Sequence, residues 1–276
     1  MRLAIILLLI ATVATGCTQH IDNMPLSKIQ REGRQFCHFS LDDVTETTKE
    51  LSIYNGQTMF NNSTLATLKK WHDKYGIGVS LYVQGDFCIN RKYAQELIDN
   101  SYRLKWGYHG SSENSRKTDI EKFYKQVSDS VGTDSILDKI TRLHYFAGDK
   151  KTCLKLKKKG CTGFLTCDDW NWNSQKRENY YLSKQSSTLL EKENILVDTI
   201  DGLYFIKTDF RLEHINQRWG NLNSMFEYYK NNKEQARELI IFSHEWCFNE
   251  YILQADSIFN WAKSNGYTFN YNEYFK

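Results

Sequence analysis

Apolar positions along the chain recur with two periods and predict an alternation of strands and helices. The run Phe36-Cys37-His38-Phe39-Ser40-Leu41 reads as a strand that ends abruptly in two adjacent carboxylates, Asp42 and Asp43. Side chains alternate across a strand, so Asp42 falls on the face of His38 and Ser40, while Asp43 points the other way or sits in the following turn. Residues 63–75 carry Leu65, Leu68, Trp71 and Tyr75 at helical spacing, and Gly76 supplies a C-cap. A strand follows at 78–83, a helix at 91–101 through Tyr93, Leu97 and Ile98, and a short strand at 104–108 that closes on His109. Next come a helix at 120–131, a strand at 140–146 carrying Arg142, a helix at 149–159 stopped by Gly160, and a strand at 163–167 running into Asp168, Asp169 and Trp170. Residues 171–187 read as a loop; a strand at 203–207 and a helix at 221–234 precede a strand at 238–242 that leads to Ser243-His244-Glu245-Trp246. A helix at 251–264 and a strand at 267–271 close the chain.

Strands alternating with helices of this length predict an α/β fold with a parallel sheet, and one Pro with no linker-like stretch predicts a single domain over 35–276. The polar residues sharpen this to an α/β barrel. Asp42, Asp43, His109, Asp168, Asp169 and His244 each fall just after a predicted strand, and in a parallel barrel those ends open on one face, where active sites sit. An open doubly wound sheet would gather some of them, but only near a switch point. An Asp pair after a strand also serves as a turn or helix N-cap, so the pair alone does not define a site.

Composition changes this picture little. The 276 residues are 41% hydrophobic and 25% charged, an ordinary globular balance, with a net charge of +3. The basic run Lys157-Lys158-Lys159 reads as the solvated end of a helix, and with no broad basic face no nucleic-acid partner is expected. The N-terminus reads differently. Residues 1–16 have the pattern of an export signal, with an apolar run at 3–14 too short to span a bilayer. Ala14-Thr15-Gly16-Cys17 is similar to a bacterial lipobox, which implies a lipid-bearing Cys17, a polar tether at 17–34 and an exported, membrane-anchored protein of the cell envelope; simple secretion is the alternative. Cys37, Cys88, Cys153, Cys161, Cys167 and Cys247 contain no CxxC pair, so no zinc ribbon is supported, and an exported chain leaves their oxidation open.

Taken in order, the motifs resemble those of the polysaccharide deacetylase family, also called the NodB-homology or carbohydrate esterase 4 family, over about residues 36–272. Phe39-Ser40-Leu41-Asp42-Asp43-Val44 stands where that family has Thr-Phe-Asp-Asp-Gly, and residues 68–85 are similar to its next helix, turn and strand. His109-Gly110-Ser111-Ser112-Glu113 stands for His-Ser/Thr-x-x-His/Asp, Arg142-Leu143-His144-Tyr145 for Arg-x-Pro-Tyr, Asp169-Trp170 for Asp-Trp, and Phe242-Ser243-His244 for Leu-x-His. The resemblance implies an irregular (β/α)7-type barrel, Asp42 as catalytic base, Asp43, His109 and Glu113 as metal ligands, His244 as catalytic acid, and Arg142 with Asp169 as the pair that orients the base. It implies a divalent cofactor, zinc with cobalt or manganese as alternatives, and an acetylated glycan as substrate. The chain departs from the pattern at Val44 for Gly, His144 for Pro, Thr166 for the first acid of the fourth motif, and Glu113 for the second metal histidine.

The chemistry is coherent on its own terms, since a divalent metal activates water and a carbonyl while a base and an opposed histidine move protons. Trp106, Trp170, Trp172, Tyr180, Tyr181 and Trp246 lie beside the predicted strand ends. Trp170, Trp172 and Trp246, with Tyr145, are the candidate sugar contacts, although large aromatics also fill cores. The expected activity is metal-dependent removal of N- or O-linked acetyl groups from a glycan. The alternatives are a deacetylase-like barrel that only binds carbohydrate and a metal hydrolase of another C–N or C–O bond. A Ser243-His244 nucleophile lacks the flanking glycines of a nucleophile elbow.

Overall fold

The computed structural model describes residues 23–25, 35–110, 117–168 and 179–269, and two five-stranded sheets form among them. The strands are β1 (Asn23–Pro25), β2 (Phe36–Val44), β3 (Val79–Val83), β4 (Leu104–Tyr108), β5 (Ile140–Thr141), β6 (Gly163–Asp168), β7 (Ile195–Asp198), β8 (Tyr204–Thr208), β9 (Phe210–Arg211) and β10 (Glu238–His244). The helices are α1 (Glu46–Ser52), α2 (Ser63–Tyr75), α3 (Ala94–Asp99), α4 (Lys117–Val131), α5 (Lys150–Lys158), α6 (Lys184–Glu193), α7 (Ile215–Trp219), α8 (Leu222–Asn231) and α9 (Phe248–Ser264). One sheet has the order β4-β3-β2-β10-β9 and is parallel throughout. The other has the order β1-β7-β8-β6-β5, with β5, β6 and β8 parallel and β7 antiparallel to both β8 and β1. The chain is thus a mixed α/β domain built on parallel strands.

Two apolar layers hold it together. Phe36, Tyr82, Ile140, Leu165, Ile195, Ile206 and Ile240 come from strands of both sheets and pack into one buried cluster, so the sheets curve about a shared, barrel-like interior. Gly107 makes room there, because a Cβ at that position would meet the Tyr82 ring at 2.7 Å. The larger cluster lies between strands and helices. Phe39 of β2 packs edge-on against Trp71 of α2 and Phe259 of α9, with ring centroids 5.7 and 5.5 Å apart. Burying each such side chain fully contributes about 1.5–3 kcal/mol. The cap signals read for α2 are realised: the Asn62 side chain accepts from Leu65 N at 2.9 Å, and Gly76 ends the helix at φ +80.

Three departures bear on the site. The strand expected at 140–146 stops at Thr141, because Arg142 turns into the interior and the His144 N–H bonds to His109 O at 2.9 Å in place of a strand neighbour. Tyr145 and Phe146 then take positive φ values of 54° and 56°. Helix α1 follows the Asp pair directly although Leu51 is its only buried large apolar residue. Its N-terminus is held from far along the chain, with the Glu245 carboxylate accepting from Thr45 N, Glu46 N and Thr47 N at 2.6, 2.7 and 2.8 Å. Helix α6 and strand β7 occupy a stretch whose Ser- and Lys-rich composition masks a single buried leucine per helix face, Leu190.

Asn23–Pro25, inside the stretch expected as a tether, pairs with β7 as an edge strand. Cys17 and the signal-like run lie outside the described residues, and no helix among the described residues is long and apolar enough to cross a membrane. The terminal strand expected at 267–271 is described only to residue 269, where Thr268 bridges Phe36. Cys37, Cys88, Cys153, Cys161, Cys167 and Cys247 are all free thiols.

Candidate active site

β2 and β10 run side by side and in register, so Asp42 lies directly opposite His244 at their C-terminal ends. Between Leu41 and Val44 the pairing of β2 with β3 shifts, and Asp43 adopts φ 56°, a left-handed conformation that Asp tolerates better than most residues. This break sends the two carboxylates in different directions. Asp42 turns inward to Arg142, whose Nη1 donates to Asp42 Oδ1 at 3.0 Å, to Oδ2 at 3.3 Å and to Ser40 Oγ at 2.7 Å. Arg142 Nη2 donates to Thr208 Oγ1 at 3.1 Å, and the guanidinium lies 4.1 Å from the centre of the Phe242 ring. The pair is sealed, with Arg142 at 0% and Asp42 at 2% exposure. That Ser40 and Asp42 bind one guanidinium confirms the strand alternation read from sequence.

Asp43 turns to His109, with its Oδ1 3.3 Å from His109 Nε2. The other ring nitrogen, Nδ1, lies 2.6 Å from Arg142 O. A carbonyl can only accept, so Nδ1 donates to it and Nε2 is the atom turned to Asp43. The Asp43 Oδ1 that it faces is buried and makes no hydrogen bond. A buried carboxylate oxygen beside an imidazole nitrogen is an arrangement a cation can bridge. His144 completes the group: Asp43, His109 and His144 each offer one ligand atom, all within 4.8 Å of one another. The His109 and His144 rings stack at 5.2 Å, and Gln84 Nε2 lies 3.0 Å from His144 Nδ1. Carboxylate and imidazole suit zinc, cobalt or manganese, so the residues present fit the divalent ion that the motifs imply. Burial alone would raise the Asp43 carboxyl, but the close approach and charge of His109, with the charges of His244 and His144, hold it at about 2. Burial lowers His144, and the charge of His109 adds to that.

Comparison with known proteins returned no matching family model and no matching curated protein. Among solved structures the chain is similar to a carbohydrate esterase 4 enzyme of Streptococcus mutans at 10% identity and a TM-score of 0.42, over 88% of each chain. It is similar to a candidate polysaccharide deacetylase of Mycobacterium smegmatis at 10% identity and a TM-score of 0.45, over 89% of this chain and 96% of that one. A third is the catalytic domain of a peptidoglycan N-acetylglucosamine deacetylase of Eubacterium rectale, at 14% identity and a TM-score of 0.39, over 88% and 89%. With likenesses this distant, the functional reading falls to the site's own residues.

Opposite the cation group stands His244. Its Nδ1 lies 2.9 Å from Glu213 Oε1, and that oxygen also accepts from Ser243 Oγ at 3.0 Å, His244 N at 2.9 Å and Cys247 Sγ at 2.9 Å. Burial alone would raise Glu213, but its hydrogen bond and charge interaction with His244, reinforced by Cys247, hold it at about 2. For His244 burial works toward the neutral ring, and the Glu213 hydrogen bond and the charges of Asp42, Glu213 and Asp43 reverse that and raise it. The Cys247 thiol is pushed up to about 12, by burial first and Glu213 second. Two exposed aromatics flank the site. Tyr145, 59% exposed, stacks on His144 at 4.2 Å, and Trp246, 72% exposed, stacks on His244 at 5.3 Å.

The structure therefore brings together Asp42, Asp43, His109, Arg142, Tyr145, His244 and Trp246 from the sequence-derived set. Glu113, Asp169, Trp170 and Trp172 lie outside the described residues. Arg142 touches Asp42 directly. Asp168, also noted at a strand end, makes a two-pronged pair with Arg211, Nε to Oδ2 at 3.0 Å and Nη2 to Oδ1 at 2.9 Å. Trp106 is wholly buried in the core, Tyr180 OH donates to Leu165 O at 2.7 Å, and Tyr181 OH donates to Asp198 Oδ2 at 2.8 Å, so all three have structural work. Sequence reasoning missed His144, Gln84 and Glu213 as site residues. The signal for His144 was present as an imidazole in the slot of a motif proline; Glu213 belongs to no motif.

Proposed function

We propose that the protein is a metal-dependent hydrolase that removes acetyl groups from a glycan. The observation that carries this reading is the convergence, at adjacent strand ends, of an Asp43, His109 and His144 donor set with the Arg142-held Asp42 on one side and the Glu213-held His244 on the other. A divalent ion held by Asp43, His109 and His144 would lower the pKa of a water and polarise the acetyl carbonyl. Asp42 is the group that accepts the proton of the attacking water, and Arg142 fixes the orientation of its carboxylate. His244, with Nδ1 bound to Glu213, holds a proton at Nε2 for the leaving nitrogen or oxygen. Tyr145 and Trp246 offer flat apolar faces on which a sugar ring can rest. We place the protein in the cell envelope, exported and anchored through a lipid on Cys17, on the strength of the lipobox-like run alone.

Acetate release from N- and O-acetylated oligosaccharides tests the reading. The expected result is release that is lost in Asp42→Ala and His109→Ala. Glycan affinity without acetate release in the metal-loaded protein would select a carbohydrate-binding barrel instead, and metal binding with inert acetyl substrates would select hydrolysis of another bond.

A further inference from the structure

His244 belongs to a second group of metal-ligating side chains. Glu213, His244 and Cys247 each offer a ligand atom, and these lie within 4.8 Å of one another. Glu213 sits just after β9, His244 ends β10, and Cys247 lies in the turn that starts α9, so the parallel pairing of β9 with β10 fixes their spacing. Four donors, Ser243 Oγ, His244 N, His244 Nδ1 and Cys247 Sγ, converge on one oxygen, Glu213 Oε1. The other, Oε2, is buried and has no hydrogen-bond partner. A buried, unpartnered carboxylate oxygen next to a thiol and an imidazole is a donor set of oxygen, nitrogen and sulfur, the mixture that zinc and cobalt favour over harder ions.

We propose that Glu213, His244 and Cys247 form a second cation site, distinct from Asp43, His109 and His144, selective for thiophilic divalent ions. Binding releases the Cys247 thiol proton to solvent, together with the Nδ1 proton of His244, and replaces the hydrogen bonds from His244 and Cys247 to Glu213 by three bonds to the ion. Because those hydrogen bonds must break first, the site fills after the first one. Its occupation removes His244 from proton transfer. The binding itself stands apart from the proposed function; the inhibition that follows from it rests on that function.

The test is a Co²⁺ titration of the metal-free protein, followed by absorption. A thiolate ligand gives a near-ultraviolet sulfur-to-cobalt charge-transfer band that oxygen and nitrogen ligands do not. The expected band grows with the second equivalent, disappears in Cys247→Ser, weakens in Glu213→Gln, and persists in His109→Ala while the first equivalent is lost. Circular dichroism checks that Cys247→Ser is folded, and Glu213→Gln tests the site with the thiol intact. Zinc beyond the first equivalent should lower acetate release by about 100-fold, the lower end of what a general acid contributes, and Cys247→Ser should lose this sensitivity relative to its own zinc-limited rate. No band at any Co²⁺ excess, or a band undiminished in Cys247→Ser, overturns the proposal. A normal band in a protein that binds no first equivalent overturns the proposed function and leaves this site standing.

Discussion

The His144 ring stacks on that of His109 with centroids 5.2 Å apart and planes 17° from parallel, although His144 occupies the slot where the family motif has a proline. A proline could offer no ligand. The resemblance would place the second metal histidine at Glu113, which lies outside the described residues. Among the described residues it is the His144 ring that lies within ligand distance of Asp43 and His109.

Gln84 Nε2 donates to His144 Nδ1, which leaves the proton of the neutral ring on Nε2 and opposes metal binding there. Gln84→Glu, whose carboxylate accepts from Nδ1 and leaves Nε2 bare, should therefore tighten metal binding by about 10- to 100-fold without touching a ligand. Competition with a chelator of known affinity measures it.

Burial of the Asp42 and Arg142 pair makes it a sensitive point for stability. Arg142→Met leaves a carboxylate buried and unpaired and should lower the unfolding free energy by about 3–5 kcal/mol, read by urea denaturation. Asp42→Asn, which keeps an acceptor for Arg142, should abolish turnover at a smaller loss of stability.

His244 is raised above the ordinary histidine value by Glu213 and by the charges of Asp42 and Asp43. An acid with a raised pKa stays protonated to higher pH, so the alkaline limb of the rate profile should lie above about 6.5. Glu213→Gln removes the nearest of those charges and should move that limb to lower pH. The pH dependence of kcat in the two proteins checks the sign.

Much of the frame could be read from the chain, because its signals were local. The apolar spacing Leu65, Leu68, Trp71 and the stop at Gly76 gave α2 its observed bounds, and the alternation through Ser40 and Asp42 placed both on one guanidinium. What stayed hidden depends on distant partners. Helix α1 has one large apolar anchor, Leu51, and is capped by Glu245 from 200 residues away, so no local signal announces it. The early end of β5 follows from where the Arg142 side chain goes, and Glu213 reaches His244 only because β9 pairs with β10.

Trp246 is exposed and stacks on His244, so its removal should affect substrate more than fold. Trp246→Ala should raise KM for oligosaccharides by roughly 2- to 10-fold with Tm unchanged, as expected for loss of one aromatic contact. Steady-state kinetics on substrates of increasing length measures it.

The most direct test of the account is metal content after dialysis against Zn²⁺, compared between wild type, His144→Ala and Glu113→Ala. The account predicts one ion fewer per chain in His144→Ala than in wild type, and the wild-type content in Glu113→Ala. No retained ion in the wild type, or the wild-type content kept in His144→Ala and an ion lost in Glu113→Ala, would contradict it.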